Sequence, residues 1–235
     1  MKSDVQETFA RIYKRYDLAN TILSGGRDAT WRKNAVSLLN QTSRIKNPAS
    51  SLYLDLCTGT GRLAYETSKR FGSQVVGLDF SEEMLRWGMG NHFRNTNHES
   101  RVTCFLGDAQ TLPFENDFFD GVTIGFGIRN IPDVQTALSE MYRVVKPGGR
   151  AIILEFSRPE SFLIKPFYHF YLRNLLPWIG GFIAGEKSPY DYLARTIWDF
   201  PIYEEFLDLM KEVGWSEVKY SPLTFGIVTV YSGRK

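Results

Sequence analysis

Cysteine and histidine are scarce in this 235-residue chain, with two of the first and three of the second. Cys57 and Cys104 fall at a strand end and within a strand. They read as small core residues rather than a disulfide or a metal set, so a reducing, cytoplasmic setting is expected. His92, His98 and His169 have no carboxylate or cysteine at ligand spacing, so no metal is expected. No G-x-S-x-G elbow points to a Ser-His-Asp hydrolase. An excess of one charge is missing too. The 28 Lys and Arg face 26 Asp and Glu, a net charge of +2, which offers no electrostatic case for a nucleic-acid partner. Long apolar runs are also absent. The longest charge-free run of the aromatic segment Phe162 to Phe200 is Asn174 to Gly185, far short of the ~20 residues that cross a bilayer. The opening "MKSDVQETFARIYKRYD" is polar and has no signal-peptide core.

What is present is a period change. Phe9, Ile12, Tyr13 and Tyr16 recur at helical spacing until "SGGRD" breaks the pattern. After "NPAS", short apolar runs alternate with helical stretches: "SLYLDLC", "QVVGLD", "RVTCFL", "DGVTIGF" and "RAIILEF". Such alternation predicts a doubly wound α/β fold, its mostly parallel sheet covered on both faces. A late helix, "IYEEFLDLMKEVG", and two further strands bring the expected sheet to seven. The expected organisation is an N-terminal helical arm (1–48), a cofactor-binding core (49–157), an inserted aromatic cap (158–201) and the closing helix and strands (202–235).

The stretch "LDLCTGTGRLA", Leu54 to Ala64, is where this pattern meets chemistry. Ligands of open parallel sheets sit beyond the carboxyl ends of the strands, where glycines let the backbone come close. Gly59 and Gly61 allow that approach, and Gly61 opens a helix whose free N–H groups favour an anionic group. A tight strand-to-helix turn would look the same. Asp79 closes the second strand eighteen residues after Gly61, where a carboxylate can accept from both ribose hydroxyls. Dinucleotide enzymes share that feature. Three others separate them. Asp55 in the first strand would repel a pyrophosphate but attract the sulfonium and ammonium of S-adenosylmethionine. Asp108 and Ala109 follow the third strand, where an acid and backbone can receive an adenine. The chain is also too short for a second mononucleotide half and a substrate domain. Solvated strand-end acids are the plainer account of Asp79 or Asp108 singly, but two beside a glycine turn favour a methyl-donor cradle.

"RYDLANTILSGGRDATWR", "LDLCTGTG", "GDAQTLPFENDFFD", "TIGFGIRNIPD", "EMYRVVKPGGR" and "LEFSRP" together resemble the class I S-adenosylmethionine-dependent methyltransferases. Within that class the chain is similar to the ubiquinone/menaquinone biosynthesis C-methyltransferases, nearly end to end. The resemblance implies cofactor contacts at Thr60, Asp79, Asp108 and Ala109. Arg27 and Asp28 depart from it, standing where relatives often carry a Gln-His pair. "TIGFG", with Gly125, and "TFGIVTVYSG" resemble menaquinone-type members, which implies demethylmenaquinol as the acceptor. A benzoquinol of the ubiquinone pathway, another phenolic or lipid acceptor, or a non-catalytic cofactor-binding subunit are the alternatives. A homodimer is left open.

Methylating a quinol ring carbon requires loss of a hydroxyl proton, stabilisation of the phenolate and alignment with the donor. Arg129 and Asn130 follow the fourth strand at the cofactor edge of the sheet. An arginine, whose pKa exceeds ~12, cannot be the free base, but it can hold an oxyanion or a water. The resemblance adds Tyr16, reaching over from the arm. A structural salt bridge to a loop acid is the competing account of Arg129. The aromatic cap is expected to shelter a prenylated tail, with Phe167, Tyr171 and Trp178 lining a lid. Trp178 and Phe182 are expected to make peripheral contact with a membrane surface.

Overall fold

The computed structural model describes residues 2–39, 48–93, 101–176, 178 and 188–235. Its centre is a seven-stranded sheet: β1 (Leu52–Leu56), β2 (Gln74–Asp79), β3 (Val102–Leu106), β4 (Phe119–Gly125), β5 (Val145–Phe156), β6 (Ser216–Leu223) and β7 (Val228–Arg234). The spatial order is β3-β2-β1-β4-β5-β7-β6. The first five strands pair in parallel, and β7 runs antiparallel to both β5 and β6. The strand order reverses between β1 and β4, so the crevice expected of a doubly wound sheet opens above their carboxyl ends. Every strand read from the sequence is present, and β7 begins later than its apolar run because Thr224–Gly226 forms a tight turn first.

Helices cover both faces of the sheet. On one side α5 (Val134–Val144) and α8 (Glu204–Val213) bury Leu138, Met141, Phe206 and Met210 against Leu54, Leu56, Ile124 and Ile153. Asp133 caps α5 by accepting from the Thr136 amide at 2.9 Å. On the other side α2 (Asp28–Leu38) and α3 (Arg62–Phe71) bury Trp31, Ala35 and Ala64 against Tyr53, Ile152 and Val230. Helix α4 (Glu82–Gly88) follows β2 and is capped by Ser81.

The arm and the cap form a third, smaller cluster. Ala19 of α1 (Lys2–Leu23) packs with Tyr168 of α6 (Lys165–Phe170) and with Leu172 and Leu176, which continue α6 through a wider helical turn. Ile197 of α7 (Ser188–Asp199) completes it. The arm and cap therefore meet each other above the carboxyl ends of the strands, and both are brought over the crevice.

Candidate functional site

The glycine turn is held by backbone geometry. Cys57 follows β1 with φ of 49°, and Gly59 and Gly61 come next with φ of 56° and 80°, a region in which only glycine sits without strain. The Thr58 amide donates to the Leu78 carbonyl at 3.1 Å and the Gly59 amide to Asp79 Oδ2 at 2.8 Å. Thus the turn is tied directly to the end of β2. Asp79 Oδ1 accepts from the Ser81 amide at 2.9 Å. Both Asp79 oxygens thus accept from backbone N–H groups, and the carboxylate lines the cavity.

Asp55 lies deeper than its position in the sequence suggests. It is fully buried, and its two oxygens accept from Thr58 and Thr123 hydroxyls, both at 2.6 Å. Burial pushes both acids up to about 6, against the pull of Thr123 and Thr58 on Asp55 and of the Ser81 and Gly59 amides on Asp79. Two desolvated acids whose hydrogen bonds come from hydroxyls and backbone amides line the cavity, and that suits a cationic ligand. Asp108 and Ala109 stand at the next strand end. Asp108 Oδ1 accepts from the Gln110 amide at 3.0 Å, while Ala109 is buried against the same cavity. Cys57 packs against the main core, as expected, and also lines this cavity; burial raises its thiol well above the ordinary value.

Thr60 is where the arm enters. Its hydroxyl donates to Asp17 Oδ1 of α1 at 3.0 Å. Arg62 reaches Asp28 at 3.0 Å, and Asp28 also pairs with Arg32 at 2.6 Å. The departure from the family pattern at Asp28 is therefore a buried acid that joins α2 to the helix after the glycine turn.

The other end of the cavity is built from remote segments. Arg129 sits in the short helical turn after β4, and its Nη1 donates to the Phe126 carbonyl and to Glu155 Oε1, both at 2.6 Å. The guanidinium lies over the Phe156 ring at 5.4 Å, and Nε is buried with no partner among the described residues. Asn130 Oδ1 accepts from the Tyr192 hydroxyl of α7 at 3.1 Å. Tyr16 lines the same space, its hydroxyl raised by burial and lowered in turn by Arg129. The salt bridge weighed for Arg129 exists, but its partner is the strand acid Glu155 rather than a loop acid, and the same arginine still faces the cavity.

One half-open cavity of about 1080 Å³ joins the two ends, above the ~300–1,000 Å³ typical of a single-ligand site. Of the residues assigned to the site from sequence, Tyr16, Asp55, Gly59, Thr60, Asp79, Asp108, Ala109, Arg129 and Asn130 line it, and Gly61 does not, standing in the adjoining turn. The lid expectation fails. Phe167, Tyr171 and Trp178 do not line it; Phe167 and Trp178 face outward at 77% and 64% exposure, and Tyr171 donates to the Leu23 carbonyl at 2.9 Å. Helical period decides this, because the inward stripe is Tyr168, Leu172 and Leu176. The cover comes instead from Asp191, Tyr192, Arg195 and Thr196 of α7. Phe182 and His98 lie outside the described residues.

Asp17, Arg32, Glu155 and Tyr192 were not singled out in the sequence. For Glu155 a signal existed, since it ends an apolar strand much as Asp55 and Asp79 do. For Tyr192 none was available beyond a helical stripe. Among the described residues no group of acids, cysteines and histidines could hold a metal.

Comparison with known proteins gives one consistent picture. The model of the ubiE/COQ5 methyltransferase family matches residues 1–235. The ubiquinone/menaquinone biosynthesis C-methyltransferase UbiE of Geotalea daltonii is 42% identical over 98% of this chain and 96% of its own. The demethylmenaquinone methyltransferase of Desulfitobacterium hafniense is 40% identical over 98% of this chain and 89% of its own. Among solved structures, an S-adenosylmethionine-dependent methyltransferase from Thermotoga maritima superposes with a TM-score of 0.65 at 22% identity. It covers 97% of this chain and 99% of its own, a likeness of fold.

Proposed function

The chain belongs to the ubiE/COQ5 methyltransferase family, and from that premise we propose how its site methylates the ring carbon of a prenylated quinol, demethylmenaquinol in particular. It is an S-adenosylmethionine-dependent C-methyltransferase. The observation that carries the reading is the single cavity joining buried acids at the strand ends to Arg129 and Asn130.

S-adenosylmethionine supplies an electrophilic methyl group on a sulfonium. Asp79 and Asp108 suit its ribose and adenine, with Ala109 beside the ring. Gly59, Thr60 and Gly61 bring backbone close to the amino-acid part. Asp55, capped by Thr58 and Thr123, adds negative potential beneath it. The fit is supported by the two desolvated acids, since a bound cation offsets the cost of ionising them in the interior.

At the other end Arg129 receives the quinol hydroxyl. The hydroxyl proton leaves to water, and the guanidinium stabilises the resulting phenolate. With the donor bound, the ring carbon would bond to the methyl group as the methyl–sulfur bond breaks to leave a neutral thioether, and the carbon's own hydrogen would then leave to water as a proton, restoring aromaticity. Asn130, held by Tyr192, orients the ring, and Tyr16 closes the arm side of the space.

The acceptor reaches the site from a bilayer surface. Phe162, Phe167 and Trp178 are 89%, 77% and 64% exposed on the outer face of the cap, an apolar patch of the kind that marks a contact surface. No described helix is long and apolar enough to cross a membrane. Peripheral contact from the cytoplasmic side is the arrangement this supports.

The deciding experiment is methyl transfer from labelled donor to a panel of short-chain naphthoquinols and benzoquinols, with the new methyl located by mass spectrometry. Ring methylation of the naphthoquinols is expected. Faster transfer to benzoquinols would move the acceptor to the ubiquinone type, and transfer to neither would remove the quinol reading.

A further inference from the structure

Glu155 is unusual among the acids of this molecule. It is fully buried, does not line the cavity, and directs its whole carboxylate at one side chain and the adjoining backbone. Oε1 accepts from Arg129 Nη1 at 2.6 Å and from the Phe156 amide at 2.8 Å, and Oε2 accepts from the Arg129 amide at 3.4 Å. Both the head and the backbone of Arg129 are thereby tied to β5. Nη1 is bound a second time by the Phe126 carbonyl, and Phe156 supports the guanidinium plane. Nε has no partner among the described residues.

A buried ion pair is a poor stabilising device, since an apolar pair of similar size often does as well. Its value lies in orienting a planar, forked cation. We propose that Glu155 is the positioning residue of the acceptor site, holding Arg129 by Nη1 and setting the charge that the developing phenolate meets. This rests on the quinol reading above.

The titratable neighbours of Arg129 strengthen the second half of that statement. Tyr16 on α1, Cys57 after β1, Tyr168 on α6 and Tyr192 on α7 all feel Arg129, and burial raises every one of them. None of them is anionic near neutrality. Arg32 across the cavity is matched by Asp28. Glu155 is accordingly the countercharge to Arg129 among the described residues. With it, the pair is neutral before the quinol ionises. Without it, an uncompensated guanidinium would pull the hydroxyl pKa down while losing its orientation.

Glu155→Gln separates these effects, because it keeps an acceptor oxygen and removes the charge. Donor affinity by calorimetry should stay within about twofold, while kcat on a short-chain naphthoquinol falls by about tenfold to a hundredfold from misalignment. The acid limb of the kcat–pH profile should move to lower pH, and Glu155→Asp should recover part of the rate. Because Glu155 acts through Arg129, Arg129→Gln and the Arg129→Gln/Glu155→Gln double variant should turn over equally. An unshifted acid limb, an additive loss in the double variant, or wild-type turnover by Glu155→Gln would overturn the proposal. Should Glu155→Gln fail to fold, Glu155→Asp decides it: undiminished kcat there counts against positioning, and a kcat loss at unchanged donor affinity supports it. Absence of transfer by the unmodified chain would instead count against the quinol reading itself.

Discussion

The two ends of the cavity are made in different ways. The donor end is drawn from residues 55–109, at the tips of three adjacent strands, and is joined by backbone bonds such as Thr58 to Leu78 and Gly107 to Asp79. The acceptor end takes Tyr16 from the arm, Arg129 and Asn130 from the turn after β4, Glu155 from β5 and Tyr192 from the cap. Its parts meet through side chains, as Arg129 does Glu155 and Tyr192 does Asn130. Backbone geometry suits a donor that is always the same molecule. Side chains mounted on separate elements let the acceptor end be altered one residue at a time without disturbing the donor turn.

The largest expected effect lies at the acceptor end. Arg129→Ala should lower turnover by about a hundredfold or more, the usual cost of removing an oxyanion donor. Arg129→Lys should also be slow, because lysine keeps the charge and loses the fork. Donor affinity should remain nearly intact in both. Wild-type turnover in either variant would make the Glu155 pair purely structural and erase the distinction between the two ends.

Next in size is the donor end. Asp79→Ala should remove charge-assisted hydrogen bonds to the ribose worth about 1.5–3 kcal/mol each, lowering S-adenosylmethionine affinity at least tenfold. It also releases the Gly59 amide, so the turn loosens with the contact. Calorimetry that finds unchanged donor binding would dissolve the assignment.

A smaller effect follows from pH. Asp55 and Asp79 are raised from 3.8 to about 6 in the folded chain. Their sign is opposite to that of an ion-paired acid. They favour the ligand-free fold below the ordinary carboxylate range and lose that contribution as pH rises through about 6. A cationic donor prefers them ionised. The thermal stabilisation by S-adenosylmethionine should therefore be greater near about pH 7.5 than near about pH 5.5. An equal shift at both would mean that neither acid faces the donor's charge.

The smallest effect on chemistry belongs to the outer cap. Phe167→Ser with Trp178→Ser should leave donor binding and turnover of a tail-less naphthoquinol unchanged, since neither side chain lines the cavity. Recruitment to quinol-containing liposomes should weaken, each ring contributing about 1.5–3 kcal/mol when buried. Flotation insensitive to the double change would leave these rings without a membrane role.

The donor end was readable before folding because its signals are short-range. A glycine turn and an acid closing an apolar strand are constrained by local backbone sterics, and parallel strands carry them to one edge. Arg129 and Asn130 were readable for the same reason, as strand-end residues, and through the family phrase that contains them. Tyr16 came only through the resemblance. The lid residues Phe167, Tyr171 and Trp178 were misplaced because aromatic content says how much apolar surface there is, not which way it faces. There the helical period put Tyr168, Leu172 and Leu176 inward and left Phe167 and Trp178 outside.

By itself the sequence determined the strand order's raw material, the glycine turn, the strand-end acids and the charge balance, since each depends on neighbours a few residues away. Tertiary structure alone decided that Glu155 faces Arg129, that Tyr192 reaches Asn130, that Asp17 meets Thr60, and that α7 rather than α6 covers the cavity. Those contacts join residues 26 to 62 positions apart along the chain. Only the packing of arm, sheet and cap around a shared core brings such distant side chains within hydrogen-bonding reach.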